Sequence, residues 1–200
     1  MKRIKAVGFD HTGVIVGMSA QKFHEVICNR INVSKEVFIK AYLNNNLSFN
    51  QGKINKLEFW TRVLREVNKY EFLQGVLEIV DRPRDINKDI IEVVNELKIK
   101  GYKLGILSND TDEGAKIIRR DEHLEDLFDL ILVSAETGLA KPKKEAFLDF
   151  ADKLNVLPKE ILFIDDAKSN IETAHQLGMD TILCVDPSDV RRALYLKKII

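Results

Sequence analysis

The residues of this chain best suited to chemistry stand where apolar runs end. In "AVGFDHTGVIV", Asp10 follows Val7 and Phe9 directly, Thr12 lies two positions on, and Gly13 lets the chain turn away. An exposed acid closing a buried strand suits a nucleophile or a metal ligand. The run "YKLGILS" ends in Ser108 and Asn109, "ILFI" ends in Asp165 and Asp166, and Lys141 precedes Pro142 in the loop after "LILVS". Three clustered carboxylates repel one another unless a cation sits among them, and oxygen-only ligands favour a hard ion such as magnesium, Mg²⁺. An ammonium and a hydroxyl on the other side suit an anion that also touches the metal, most simply a phosphoryl group.

These residues are far apart in sequence, so a fold must bring them to one edge. The runs "KAVGF", "YKLGILS", "LILVS", "ILFID" and "TILCV" read as strands buried on both faces. Helical periods lie between the later ones. Ile90, Val94 and Leu97 share a face ahead of Gly101, and Phe147, Phe150 and Leu154 share another. In "SNIETAHQLGM", Ser169 and Glu172 form a capping box, Ile171, Ala174 and Leu177 face inward, and Gly178 ends the helix. Strand alternating with helix implies an α/β fold with a doubly wound, Rossmann-like parallel sheet. In such a sheet, ligands bind beyond the carboxyl ends of the strands, where the polar residues above fall.

One region breaks the alternation. Residues 17–85 contain no convincing strand and three amphipathic stretches, "SAQKFHEVICNRI", "SKEVFIKAYLNNN" and "NKLEFWTRVLREVNKY". Asn55 and Glu58 cap the last of them, and "DRPRD" around Pro83 reads as the return linker. The expected organisation is a core of residues 1–16 and 86–200 with a small helical domain, residues 17–85, inserted after the first strand.

Composition narrows the class. The 200 residues carry equal numbers of acidic and basic groups and a formal net charge of zero, which argues against a nucleic-acid surface and a polybasic membrane anchor. The basic pairs Arg119-Arg120 and Lys197-Lys198 read as solvated helix faces. The two cysteines, Cys28 and Cys184, sit among apolar residues and read as reduced core thiols. "MKRIK" leads into an apolar run that breaks at Asp10, too early for a signal peptide, and no run has the length of a membrane span. The expectation is a soluble cytoplasmic protein; no pattern specifies an oligomeric state.

The set FDxxG, LSN, KP and FIDD, in that order, resembles the haloacid dehalogenase-like (HAD) hydrolase superfamily, and the inserted helices occupy the place of that family's small cap. Singly, each motif has a bland reading: Asp10 could merely end a strand, and Asp165, Asp166 and Ser169 could merely cap a helix. Together they are specific, and they look most like capped sugar-phosphate phosphatases and the amino-terminal phosphatase domain of epoxide hydrolases. The resemblance implies that Asp10 attacks phosphorus and becomes an aspartyl phosphate. It implies that Ser108 and the Asn109 amide hold phosphoryl oxygens, together with Thr12, Gly13 and Lys141, and that Lys141 neutralises the transferring group. The implied Mg²⁺ ligands are Asp10, the Thr12 carbonyl, Asp166 and Asp165, the last either beside the ion or reaching it through water. The implied partner is a small phosphorylated metabolite chosen by the cap.

This chain departs from the pattern at Thr12. Most phosphatases of the family carry an aspartate there, which protonates the leaving alcohol and later activates water. A threonine supplies the same carbonyl but no proton shuttle, a service typically worth roughly 10²–10⁴-fold in rate. P-type ATPases have Thr at the matching position and keep a long-lived aspartyl phosphate. The leading expectation is a Mg²⁺-dependent phosphohydrolase, slowed by Thr12. The second is a phosphate-binding or regulatory protein without efficient turnover. A metal-free dehalogenase is disfavoured, because such enzymes replace the Asp165-Asp166 acids by neutral residues. His24, Trp60, Phe59 and Phe49 are assigned to the packing of the helical insertion, His123 and His175 to the surface, and His11 is expected to point away from Asp10.

Overall fold

Side-chain alternation along the strands creates the two faces of the sheet. The computed structural model describes residues 4–50, 52–81, 85–120 and 124–200. In β1 (Ala6–Phe9), Val7 and Phe9 join one apolar cluster while Ala6 joins the other. The same split separates Leu104 and Ile106 from Leu107 in β2 (Lys103–Ser108), and Leu162 and Ile164 from Ile161 and Phe163 in β4 (Ile161–Asp165). With β3 (Leu130–Val133) and β5 (Asp180–Leu183), the strands form one parallel sheet in the order β3-β2-β1-β4-β5.

Helices cover both faces. On the first face Ile90, Val93, Val94 and Leu97 of α5 (Lys88–Ile99), Ala115 and Ile118 of α6 (Asp112–Arg120), and Val190 and Leu194 of α10 (Val190–Leu196) pack against the sheet. On the second face Phe147, Phe150 and Ala151 of α8 (Lys144–Lys153) and Ala174 of α9 (Lys168–Gln176) do so. A short helix, α7 (Ser134–Thr137), follows β3. This is the doubly wound α/β sheet that the sequence implies. Gly8 and Gly105 stand side by side in register, and a Cβ on either would lie 2.7 Å from the Phe150 ring. Their missing side chains form the trough that this ring fills.

The chain divides into two compact units, residues 1–19 with 85–200, and residues 20–84. The second contains α1 (Ala20–Ile31), α2 (Lys35–Asn50), α3 (Lys56–Glu66) and α4 (Leu73–Val80). Its core gathers Ile27, Phe38, Phe59, Trp60, Val63 and Leu64, with Phe49 stacked on Phe59 at 4.7 Å between ring centroids. His24 is half-buried against Tyr42 and Phe38, so its aromatic neighbours account for it. The Asn55 side chain accepts from Glu58 N at 2.9 Å and caps α3 as its sequence foretells. The expected linker at Pro83 and the expected surface position of His123 lie outside the described residues. Among the described residues no helix is long and apolar enough to cross a membrane.

One local expectation is overturned. Ser169 and Glu172 do not form a capping box: α9 starts at Lys168 with Ala167 as its N-cap residue, so Ser169 is already inside the helix. The reason is upstream, because Asp165 accepts from Ala167 N at 2.8 Å and starts the helix itself.

Candidate active site

The sheet's pairing carries the reactive residues one step beyond its hydrogen-bonded ladder. Asp10 N donates to Ile164 O at 2.8 Å, which fixes Asp10 at the carboxyl end of β1, beside β4. Asp165 closes β4, Asp166 follows it, and Ser108 closes β2 as a buried residue. One expectation needs correction here: Asp10 is not exposed but retains only 9% of its accessible surface. The turn after it wraps closely. Gly13 N donates to Val16 O, and both Ile15 N and Val16 N donate to His11 O.

Lys141 is the hub of the cluster. In sequence it is one of several neighbouring lysines, yet it is only 3% exposed. Its Nζ donates to Asp10 Oδ1 and to Asp165 Oδ2, both at 2.7 Å, and stands 5.5 Å from the centroid of the Phe163 ring. His11 N also donates to Asp10 Oδ1, at 2.7 Å. Oxygens of Asp10, Asp165 and Asp166 lie within 4.8 Å of one another.

Electrostatics makes this cluster suitable for a cation. Burial, and then the negative charge of Asp165 and Asp166, outweigh the attraction of Lys141 and push the Asp10 carboxyl up to about 7. Burial alone would lower Lys141, but Asp10 and Asp165 more than offset it and hold the ammonium above its ordinary range. Once Asp10 ionises, three carboxylates against one ammonium leave two unbalanced negative charges, and all the candidate ligand atoms are oxygens. That donor set fits a hard divalent ion.

The loop carrying Gly13 is shaped around this cluster. Gly13 has φ +95°, and any Cβ there would collide with the Asp166 carboxylate. Thr12 is half-buried, and its Oγ1 stands 3.5 Å from His11 Nδ1. His11 itself is buried at the head of this turn. Beneath the loop, the Cys184 thiol donates to Gly13 O at 3.9 Å. Burial and then the surrounding carboxylates, Asp166 first, push that thiol up to about 12, which keeps it protonated and inert, as a core thiol should be.

The Asn109 side chain does not reach toward Asp10. Its Nδ2 donates to Lys141 O and its Oδ1 accepts from Lys141 N, both at 2.8 Å, so the amide pins the Lys141 loop to the end of β2. A neighbouring brace comes from buried Ser134, whose Oγ accepts from Asp110 N and donates to Asp110 O. Sequence reasoning also passed over Asn170, whose Nδ2 lies 3.0 Å from each oxygen of Asp165. The available signal was its place four residues before inward-facing Ala174, which puts an amide on the buried face of α9.

Comparison with known proteins gives the chain a family. A family model described as haloacid dehalogenase-like hydrolase matches residues 4–178. Bifunctional epoxide hydrolase 2 of Rattus norvegicus is 31% identical over 115 residues, covering 56% of this chain and 21% of that protein. The match therefore spans about a fifth of the length of that relative. The D-ribitol-5-phosphate phosphatase of Bacteroides thetaiotaomicron is 26% identical over 203 residues, covering 96% of this chain and 97% of that protein. Among solved structures, a HAD family enzyme of Bacteroides thetaiotaomicron in complex with magnesium and inorganic phosphate superposes with a TM-score of 0.60. That match has 24% identity over 90% of this chain and 93% of that one, and it bears on the fold.

Proposed function

Because the chain belongs to the haloacid dehalogenase-like hydrolases, we propose that it is a Mg²⁺-dependent phosphohydrolase acting in the cytoplasm on a small phosphorylated metabolite, through an aspartyl phosphate at Asp10. The carrying observation is buried Lys141 held between Asp10 and Asp165 at 2.7 Å, at one side of a three-carboxylate cluster. A full-length relative that acts on a polyol phosphate and a neighbour holding magnesium and phosphate support the same reading. The first favours phosphorylated polyols as the substrate class.

In this account an Asp10 carboxylate oxygen bonds to phosphorus as the bond to the leaving oxygen breaks. Lys141 donates to the transferring group while keeping Asp10 oriented. Ser108 and the backbone N–H of Asn109, rather than its side chain, hold phosphoryl oxygens. Asp10, Asp166 and the Thr12 carbonyl hold Mg²⁺, with Asp165 beside them. The ion, when bound, neutralises phosphoryl charge. Water then attacks the phosphorus of the aspartyl phosphate, releasing phosphate and restoring Asp10. Substrate choice belongs to the helical unit, residues 20–84, acting as a cap domain.

Thr12 is the specific observation behind a second reading, a phosphate-binding or regulatory protein with little turnover. Its hydroxyl is too weak an acid to shuttle a proton at neutral pH, so both the departure of an alcohol and the attack of water lose general acid–base help. Phosphate release from a panel of phosphorylated polyols, sugars and small acids, with and without Mg²⁺, tests the proposal. Turnover that requires Mg²⁺ and is lost in Asp10→Asn is expected; turnover unchanged in Asp10→Asn refutes it. Thermal stabilisation by phosphate without phosphate release, coupled to a large gain of hydrolysis in Thr12→Asp, would select the second reading.

A further inference from the structure

We infer that Asn87 is a positioning residue: it clasps the turn that follows Asp10 and so fixes the Thr12 carbonyl and Gly13 beside the cation site; the inference rests on the phosphohydrolase reading above. Asn87 is the N-cap residue of α5, yet its side chain makes no capping hydrogen bond. It reaches instead to the stretch of chain that leads toward the helical unit. Its Nδ2 donates to Val14 O at 2.7 Å and to Gly17 O at 3.3 Å, and its backbone N–H donates to Ile15 O at 2.8 Å. One half-buried residue thus takes the carbonyls of Val14, Ile15 and Gly17, and an amide nitrogen has the two hydrogens that its side-chain share requires. A bridge between Val16 and Ile86 and a bond from Gly17 N to Asp85 O complete the seam.

The seam is continuous with the catalytic turn. Within that turn Gly13 N donates to Val16 O, and Ile15 N and Val16 N donate to His11 O, while Val16 also bridges to Thr12. Val14 and Ile15 are buried, so water is a poor substitute for the donors that Asn87 brings to their carbonyls. An asparagine suits the position for a definite reason. A helix cap asks for a side-chain oxygen turned toward the first N–H groups of α5, and aspartate or serine supplies one as well as asparagine does. The seam asks for a donor turned toward two carbonyls. An aspartate would set oxygen against oxygen there, and a serine stops short of both. With the clasp gone, the turn loosens and the cation loses a carbonyl held ready for it.

The test compares the full chain with Asn87→Asp and Asn87→Ser, by calorimetric titration of Mg²⁺ and by amide hydrogen exchange of the metal-free protein. Both variants keep a good cap for α5, so a residue that merely caps its helix would leave both readouts unmoved. Each variant is expected to bind Mg²⁺ roughly 10–100-fold more weakly than wild type. The aspartate should do so even though its added negative charge by itself favours a cation. The N–H groups of Gly13, Ile15 and Val16 should exchange faster in both variants, while the amides of β2 keep their protection. Wild-type or tighter Mg²⁺ binding by either folded variant overturns the inference, and so does exchange in the turn that is unchanged or rises only in step with β2. If the wild-type chain binds no Mg²⁺, the phosphohydrolase reading fails by itself. Exchange then decides the clasp: faster exchange confined to the turn supports it, and any other result overturns it.

Discussion

A proton and a metal ion compete for Asp10. Its carboxyl is pushed up to about 7 by burial and by neighbouring carboxylates, so the metal-free protein holds a proton there that an unfolded chain has already lost. The sign follows directly. For this group alone, folding weakens as pH rises from 3.8 toward about 7, and binding of a cation to the same carboxylate strengthens over that interval. Calorimetric Mg²⁺ titrations should therefore show an affinity that falls on acidification below about 7, by up to about tenfold per pH unit, and is level above it. Asp10→Asn should flatten that profile, and an affinity independent of pH in the wild-type chain would contradict the assignment. Lys141 was legible only through its KP context, since nothing in a run of lysines says that one of them is buried beside two carboxylates. Asn170 was not legible, because its role is set by contact with a residue on the preceding strand.

At the level of elements, the strands were readable for a physical reason. Burial on both faces demands continuous apolar runs, and Asp10, Ser108 and Asp165 mark where each run ends. Helices α5 and α8 were readable because their inward residues repeat at helical spacing. Less legible were α4, where Gly75 interrupts a largely apolar segment, and α6, where Ala115 and Ile118 face the core amid charged neighbours. The start of α9 was misread because Asp165, outside the helix, accepts the N–H that a capping box would have taken. The strand order was beyond the pattern, since periodicity states what is buried and not which strand lies beside it. The paired glycines of β1 and β2 supply a prediction at this scale. Gly8→Ala places a Cβ 2.7 Å from the Phe150 and Phe163 rings, and Gly105→Ala one 2.7 Å from Phe150. Each should destabilise the fold by roughly 1–3 kcal/mol as overpacking, read in urea melts. A neutral result would mean that Phe150 moves aside easily.

Across the whole molecule, two compact units have separate apolar cores. The α/β unit assembles the charged cluster from residues as distant as Asp10 and Asp166, so its folding and its cation site are linked. A ligand bound only by the folded state at 100 times its dissociation constant adds about 2.7 kcal/mol. For a chain of this size that corresponds to a rise in melting temperature of roughly 5–10 °C. Mg²⁺ should produce such a rise, chelation should reverse it, and Asp166→Asn should abolish most of it. A melting temperature indifferent to Mg²⁺ at saturating concentration would speak against the site.

The central claim is that Asp10 is the nucleophile, and a covalent adduct tests it most directly. The chain, mixed with Mg²⁺ and p-nitrophenyl phosphate and quenched in acid, would be read by intact-mass and peptide mass spectrometry. With Thr12 unable to activate water, the account predicts that a single phosphoryl group accumulates on Asp10, is released by hydroxylamine, and becomes scarce in Thr12→Asp. Steady phosphate release from a chain that never carries the adduct, or an adduct on any other residue, would contradict it.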